Sequence, residues 1–297
     1  MNAITQSRLL VTHAWMPDSL WVNHIRAFFV RNTQGCHLKP NKQLNRFPAH
    51  SYCLLTWYLK GEAELLSCGG LTEQVRLASC VVSGCQSYPL VFKNCGEIYA
   101  FTVMFYPEAF HALFGVDMAS LHNRFADARE VLPPHGLALI EAVFQADTDE
   151  ARQHLVEHCL SQYGTDLSSN AWVQLRHSGS QATLASASTL FGVSQRQLRR
   201  LALREIGLNF QTLINFWRGE AVYFRQKHFH LIDKTVPLAD FALGVGFADQ
   251  SHWIRNCKAH THRTPTQLAY DIRTEEADWF YRLPLHPHGG CVTDDEA

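Results

Sequence analysis

The second half of the chain contains the same short pattern twice, and this duplication constrains the fold more than any other feature. ATLASASTLF reads as a short helix stopped by Gly192-Val193-Ser194, and QRQLRRLALREIG as a second helix ending at Gly207. Further on, VPLADFALGV stops at Gly246-Phe247-Ala248-Asp249 and QSHWIRNCKAH follows, so the two turn glycines lie 54 positions apart. A small residue, Ser188 in one copy and Ala242 in the other, stands four positions before each glycine, where two crossing helices come close. Glycine accepts the left-handed backbone that such a turn requires. Ser194 and Asp249 then fall at the N-cap, where a side-chain oxygen accepts an orphan backbone N–H for about 1 kcal/mol.

Helical periodicity decides what each second helix shows to solvent. Leu198, Leu201 and Ala202 form the inner stripe of the first, leaving Gln195, Arg196, Arg199 and Arg200 outward. In the second copy Trp253 and Cys257 point inward, while Gln250, Ser251, His252, Arg255 and Asn256 point outward. Arginine pairs bidentately with guanine, Gln or Asn with adenine, and Ser with either, so these are base-reading side chains by type. Lys258 and Arg263 lie farther along and suit phosphate neutralisation. A cationic helix face is by itself an ordinary solvated face. Here both copies fall inside one basic block: residues 195–263 carry eleven Lys and Arg against five Asp and Glu, in a chain whose net charge is only −1. Tandem units in the basic block point to double-stranded DNA as the partner.

The first half reads differently. SYCLLTWYLKGEAELL, VRLASCVVSG, SYPLVFK and EIYAFTVMFYP are short runs rich in β-branched and aromatic residues, broken by Gly, Asn and Pro, as in a β-sandwich or small barrel. After Pro107 the apolar period becomes helical, and helices are expected to close this domain. The resulting expectation is an α+β chain with a β-rich domain over residues 1–165, a polar linker over 166–181, a helical domain over 182–271 and a loose acidic tail over 272–297. Nine cysteines, mostly within apolar runs and without any CxxC, read as reduced buried thiols. No stretch is apolar for long enough to cross a membrane and the start lacks the pattern of a signal peptide, so a cytoplasmic protein without a membrane partner is expected.

Two rival readings follow from other features. Seventeen histidines raise a cupin-type metal-dependent enzyme fused to a DNA-binding module. The close pairs His228/His230, His260/His262 and His286/His288 all lie outside the β-rich half, however, and His13, His24, His37 and His50 form no two-His-plus-carboxylate set. No GxSxG supports nucleophilic catalysis. The balance is a non-enzyme needing no cofactor and no metal. The second rival is a protein whose helical half only docks another protein. Trp21, Phe47, Tyr52, Trp57 and Tyr58 are candidates for an aromatic pocket, but aromatic stripes are more often core.

The stretch GVGFADQSHWIRNCKAHTHRTPTQL, with Gly246, Phe247, Asp249, Gln250, Ser251, Arg255, Lys258, Thr264 and Pro265 in place, resembles the signature of the AraC/XylS family of bacterial transcription regulators. Gly192, Ser194, Leu198, Arg200 and Gly207 fit its first unit and Arg218 its linking helix. The resemblance spans about residues 182–271. It implies two helix-turn-helix subdomains joined by one helix, reading successive major grooves about 34 Å apart. Ala202 and Cys257 stand where phenylalanine is usual, His262 replaces a glycine, and Arg225 to Lys234 is longer than usual. NRFPAHSYCLLTWYLKGEAELL, FTVMFYPEAFHALFGVD and NRFADAREVL resemble the cupin-like sensor domain of some of these regulators, which bind an effector, dimerise, or both. A transcription factor contacting RNA polymerase, with a small-molecule effector and a homodimer as candidate ligand and assembly, is what the family implies.

Overall fold

The computed structural model describes residues 10–36, 38–69, 74–178, 182–231 and 250–283, with only the helical backbone over 221–231. Among the described residues ten strands form two antiparallel sheets. The larger orders β1 (Val11–Trp15), β2 (Ile25–Asn32), β9 (Tyr99–Phe105), β4 (Cys53–Lys60), β7 (Cys80–Ser83) and β10 (Phe125–Asp127). The smaller orders β3 (Leu44–Phe47), β8 (Leu90–Asn94), β5 (Ala63–Cys68) and β6 (Val75–Arg76). Strand β10 departs from the all-helical reading after Pro107: Phe125, Ala126 and Asp127 return to pair with Ser83, Val82 and Val81.

Period-two alternation sorts the side chains of the large sheet. Cys53, Leu55 and Trp57 of β4 join Phe28, Phe101, Val103 and Phe105 in a fully buried core. That face is covered by α1 (Pro107–Phe114), α3 (Pro134–Gln145) and α4 (Asp149–Tyr163), through residues such as Phe110, Ile140 and Val156. The short helix α2 (Ala128–Val131) precedes them. On the opposite face Leu54, Thr56 and Tyr58 meet the small sheet around a cavity of about 70 Å³. The aromatic candidates are therefore divided. Trp57 belongs to the helix-covered core, where its Nε1 donates to the Ile140 carbonyl at 3.3 Å, whereas Tyr58 and Phe47 face the smaller sheet's cavity.

The polar connection between the halves is structured over the residues described, 166–178. AWVQL lies in α5 (Ala171–Ser178), whose Trp172 and Leu175 enter the core of the first helix-turn-helix unit. That unit comprises α6 (Leu184–Phe191) and α7 (Gln195–Leu201), extended by a π turn over Ala202–Ile206 to Gly207. Helix α8 (Phe210–Leu231) leads away from it, and α9 (Gln250–Thr261) and α10 (Pro265–Thr274) end the helical half. The two halves touch closely at Gly207. Its φ is 84°, and a Cβ there would stand 2.6 Å from the Met118 carbonyl oxygen, so both backbone shape and space require glycine.

Residues 272–283 of the expected loose tail are folded. Helix α10 continues to Thr274 and a 3-10 segment runs over Glu276–Arg282, with Trp279, Tyr281 and Leu283 each no more than 5% exposed. Trp279 packs edge-on against Phe47, and its Nε1 donates to Asn45 Oδ1 at 2.8 Å. Asp278, wholly buried, receives Arg46 of β3 at 2.9 Å and Arg263 at 2.7 Å. Glu276 and Asp278 are paired with arginines and the aromatics of this stretch reach the β-rich half, so it folds against that half. Residues 284–297 lie outside the described residues. Replacing Trp279 by Ala removes a large buried ring, and we expect a loss on the order of 3 kcal/mol. Urea denaturation checks this; an unchanged midpoint would mean that the segment contributes no stability.

Candidate nucleic-acid interface and the cavity behind it

The first turn has the geometry that its sequence requires. Gly192 adopts φ 63° and ψ 29°, and its N–H and that of Val193 donate back to the end of α6, the latter to the Ser188 carbonyl at 3.1 Å. Nothing lies within 4 Å of a Cβ built at Gly192, so the left-handed conformation alone explains the glycine. Ser194 caps α7 reciprocally: its Oγ accepts from the Gln197 backbone at 3.3 Å, and Gln197 Oε1 accepts from the Ser194 N–H at 3.0 Å. The most buried residue of α6 is Ala187, one position before Ser188. Gly246 and Asp249, the corresponding turn and cap of the second unit, lie outside the described residues.

Burial of Leu198 and Ala202 fixes the rotation of α7, leaving Gln195, Arg196, Arg199 and Arg200 exposed. Among the described residues no carboxylate lies within 4 Å of those three arginines, and the same holds for Lys258. Trp253 orients α9 in the same way, being 2% exposed, so that Ser251, Arg255 and Lys258 face solvent while Gln250 and His252 are half-buried. Arg255 Nε donates to the Ser251 carbonyl at 3.3 Å, which lays the side chain along its own helix.

Arg263 is a correction to the sequence reading. Its guanidinium contacts Asp271 at 3.2 Å and Asp278 at 2.7 Å, sits over the Tyr281 ring and is 14% exposed, so two carboxylates already satisfy the charge expected to meet a phosphate. Asn256 is not outward either; it faces α8, where its Oδ1 would stand 3.1 Å from a Cβ at Gly219. The residue that follows α9, His262, has φ 58°, which accounts physically for the glycine usual at that place.

Behind α9, its inner residues, the start of α8 and the β-rich half enclose a cavity of about 140 Å³. Phe47, Leu54 and Met104 supply one apolar wall and Phe216, Trp253 and Leu268 the other. The polar groups in it are few. Glu220 of α8 accepts from the Tyr52 hydroxyl and lies 3.6 Å from Arg26 Nε, and Arg26 is 1% exposed. Burial, then the Glu220 charge, pushes the Tyr52 phenol well above its ordinary range. Burial likewise pushes the His50 imidazole down to about 4 and that of His260 below its usual value, so both rings are neutral near pH 7. The Ala49 N–H donates to the His260 carbonyl at 2.9 Å, joining β-rich half and α9 directly.

Sequence reasoning weighed His50 and His260 only as metal ligands and passed over Glu220, since a scattered histidine and a helical glutamate carry no local pattern. Among the described residues no group of three His, Cys, Asp or Glu is placed to hold a metal ion. His260 Nδ1 instead bonds the Asn256 carbonyl, and the His286/His288 pair lies outside the described residues. The described cysteines are free thiols, with Cys53, Cys80, Cys85 and Cys159 buried.

Among known proteins, a family model described as a helix-turn-helix domain matches residues 187–270. No curated protein matches the chain. Solved structures with similarity include apo ToxT carrying one lysine-to-alanine substitution, from Vibrio cholerae strain SCE256, at 13% identity and a TM-score of 0.43, covering 82% of this chain and 97% of that one. ToxT from Vibrio cholerae O395 gives 14% identity and a TM-score of 0.41, covering 78% and 98%. Unsaturated fatty acid bound wild-type ToxT from strain SCE256 gives 13% and 0.38, covering 91% and 97%. Those superpositions are too loose to bear on the site, whereas the family match falls on the α6–α7 turn and on α9, so that residues 187–270 are similar to a helix-turn-helix domain.

Proposed function

We propose that the chain is a sequence-specific, effector-responsive DNA-binding transcription regulator in which α7 and α9 enter successive major grooves. The observation that carries this reading is the exposed cationic N-terminal half of α7, with Arg196, Arg199 and Arg200 free of carboxylates among the described residues, inside a matched helix-turn-helix domain. Gln195, Arg196, Arg199 and Arg200 on one helix, and Gln250, Ser251, His252 and Arg255 on the other, are the proposed base readers. Lys258 serves the phosphate backbone. The β-rich half is the sensing domain, and the cavity behind α9 is the effector site. Contact with RNA polymerase and assembly as a homodimer belong to the same reading, as does a cytoplasmic location. Among the described residues no helix is long and apolar enough to cross a membrane.

Counterion release makes the affinity for a selected site fall steeply with salt, and Lys258→Ala is expected to flatten that slope by roughly one unit on all sequences alike. Fluorescence anisotropy over a salt series measures both. Arg255→Ala is expected instead to relax discrimination at one or two base pairs by about 1 to 3 kcal/mol. Should both variants bind the selected site as the parent chain does, the groove assignment fails.

Arg263→Ala has a different expected signature. Because its charge is held by Asp271 and Asp278, the variant lowers the thermal midpoint and leaves the salt slope of the remaining folded protein unchanged. A slope reduced to the extent seen for Lys258→Ala would return Arg263 to the phosphate contacts.

A further inference from the structure

The end of β3 and the turn that leads from it into β4 meet both α7 and α9. Ala49 takes part in two contacts there. Its side chain is buried in the core that holds Leu198, Ala202 and Ile206 of the first unit, and its N–H donates to the His260 carbonyl of α9 at 2.9 Å. The turn is itself pinned. His50 and Gln86 exchange backbone hydrogen bonds at 2.9 and 2.8 Å, and Cys85, next to Gln86, donates its thiol to the Ile206 carbonyl at 3.0 Å. Apolar packing of this kind, together with the contact of Gly207 on Met118, fixes the first unit to the β-rich half.

The second unit is held at the same place by different means. Three positions before Ala49, Arg46 reaches Asp278, whose other oxygen takes Arg263 just beyond α9. Asp278 is wholly buried and stands where the 3-10 segment bends, at φ −99° and ψ 22°. Trp279 anchors that segment on Phe29 and Phe47, both of the β-rich half. Helix α8 is thus one route from the first unit towards the second, and residues 46–49 with Asp278 are another. Two connections fix a relative position that a single one leaves free to pivot. The arrangement masks nothing: Arg196, Arg199 and Arg200 on α7 and Ser251, Arg255 and Lys258 on α9 stay exposed in it. A contact that leaves both outer faces open is suited to placing them.

We propose that residues 46–49 and Asp278 form a yoke that sets the position of α9 relative to α7, so that the β-rich half determines which half-site spacing the chain accepts, with Arg46 and Asp278 as positioning residues. The proposal rests on the reading of α7 and α9 as helices that enter successive grooves, and it adds what spaces them.

The test uses the full chain and four duplexes: a selected site, each half-site with the other scrambled, and the site with about five base pairs, half a helical turn, inserted between its halves. Linked units gain avidity only where their separation matches the site, so the insertion is expected to weaken binding by the parent chain roughly a hundredfold. Arg46→Gln cuts the yoke on the β-rich side at a residue that is 33% exposed, and Asp278→Asn cuts it at its centre. In each variant the insertion penalty is expected to drop to roughly tenfold or less, with affinity for each half-site within about twofold of the parent. Hydrogen exchange without DNA gives a second reading: the Ala49 amide exchanges roughly tenfold faster in Arg46→Gln, while the Gln86 amide, bonded to the His50 carbonyl, keeps its rate. A penalty as large in both variants as in the parent, a parent indifferent to the insertion, or both amides accelerating together would each overturn the proposal. The two readings fail differently: a parent that binds none of the duplexes refutes the groove assignment and the spacing role with it, whereas one that binds and keeps its penalty in the variants refutes the yoke alone.

Discussion

Three buried or half-buried arginines of the β-rich half have their carboxylates in the other half of the chain. Arg26 and Arg31 of β2 face Glu220 and Glu276, and Arg46 of β3 faces Asp278. An arginine that is 1% or 3% exposed is tolerable only with an anion beside it, because the interior withdraws water that would otherwise solvate the charge. These pairs are thus less a source of net stability than a constraint on geometry: any arrangement of the halves that separates them breaks ion pairs made here by buried arginines. Asp278 extends the constraint, since its second oxygen holds Arg263 and so joins β3 to the turn after α9 through a single side chain.

The same constraint explains why the sequence was legible in one region and misleading in another. The helix-turn-helix units are local: the left-handed glycine, the Ser194 cap and the inner stripe of Leu198 and Ala202 are all set by residues within a dozen positions of one another, so pattern suffices to find them. Alternation in β4 was legible for the same reason. The C-terminal segment reads as loose because net acidity without apolar period resembles a solvated tail. Two of its acids, Glu276 and Asp278, also pair with Arg31 and Arg46 more than 200 positions away, a relationship that no window of sequence contains. One local signal was present, the consecutive aromatics Trp279, Phe280 and Tyr281, which a solvated tail has no reason to carry.

Arg263 and Lys258 make the same point for the interface. Both are basic residues at or beyond the end of α9, alike in type and place, and type alone assigned both to phosphate. Tertiary context separates them: Lys258 is exposed, whereas Arg263 is folded over Tyr281 between two aspartates. The histidines divide along similar lines. Counting them suggested a metal, but the ones that matter in the fold, His50 and His260, are single neutral rings whose tautomers are set by a backbone N–H and a backbone carbonyl.

Position rather than distance connects the cavity to the proposed reading surface. Trp253 and Cys257 face the cavity and Ser251 and Arg255 face solvent, all on one helix of twelve residues, so α9 cannot shift at its inner side without moving its outer one. A ligand that fits the enclosed arrangement better than an open one stabilises the contacts from Ala49 and Glu220 by its own differential affinity and no more. Linkage then works in both directions. If DNA requires α9 to leave the β-rich half, DNA and the ligand oppose each other equally; if DNA requires α9 held where it is, each strengthens the other by the same factor. The sign depends on whether the reading geometry keeps the pairs of Arg26, Arg31 and Arg46 intact, because those buried charges set the free-energy cost of moving the second helix-turn-helix unit away.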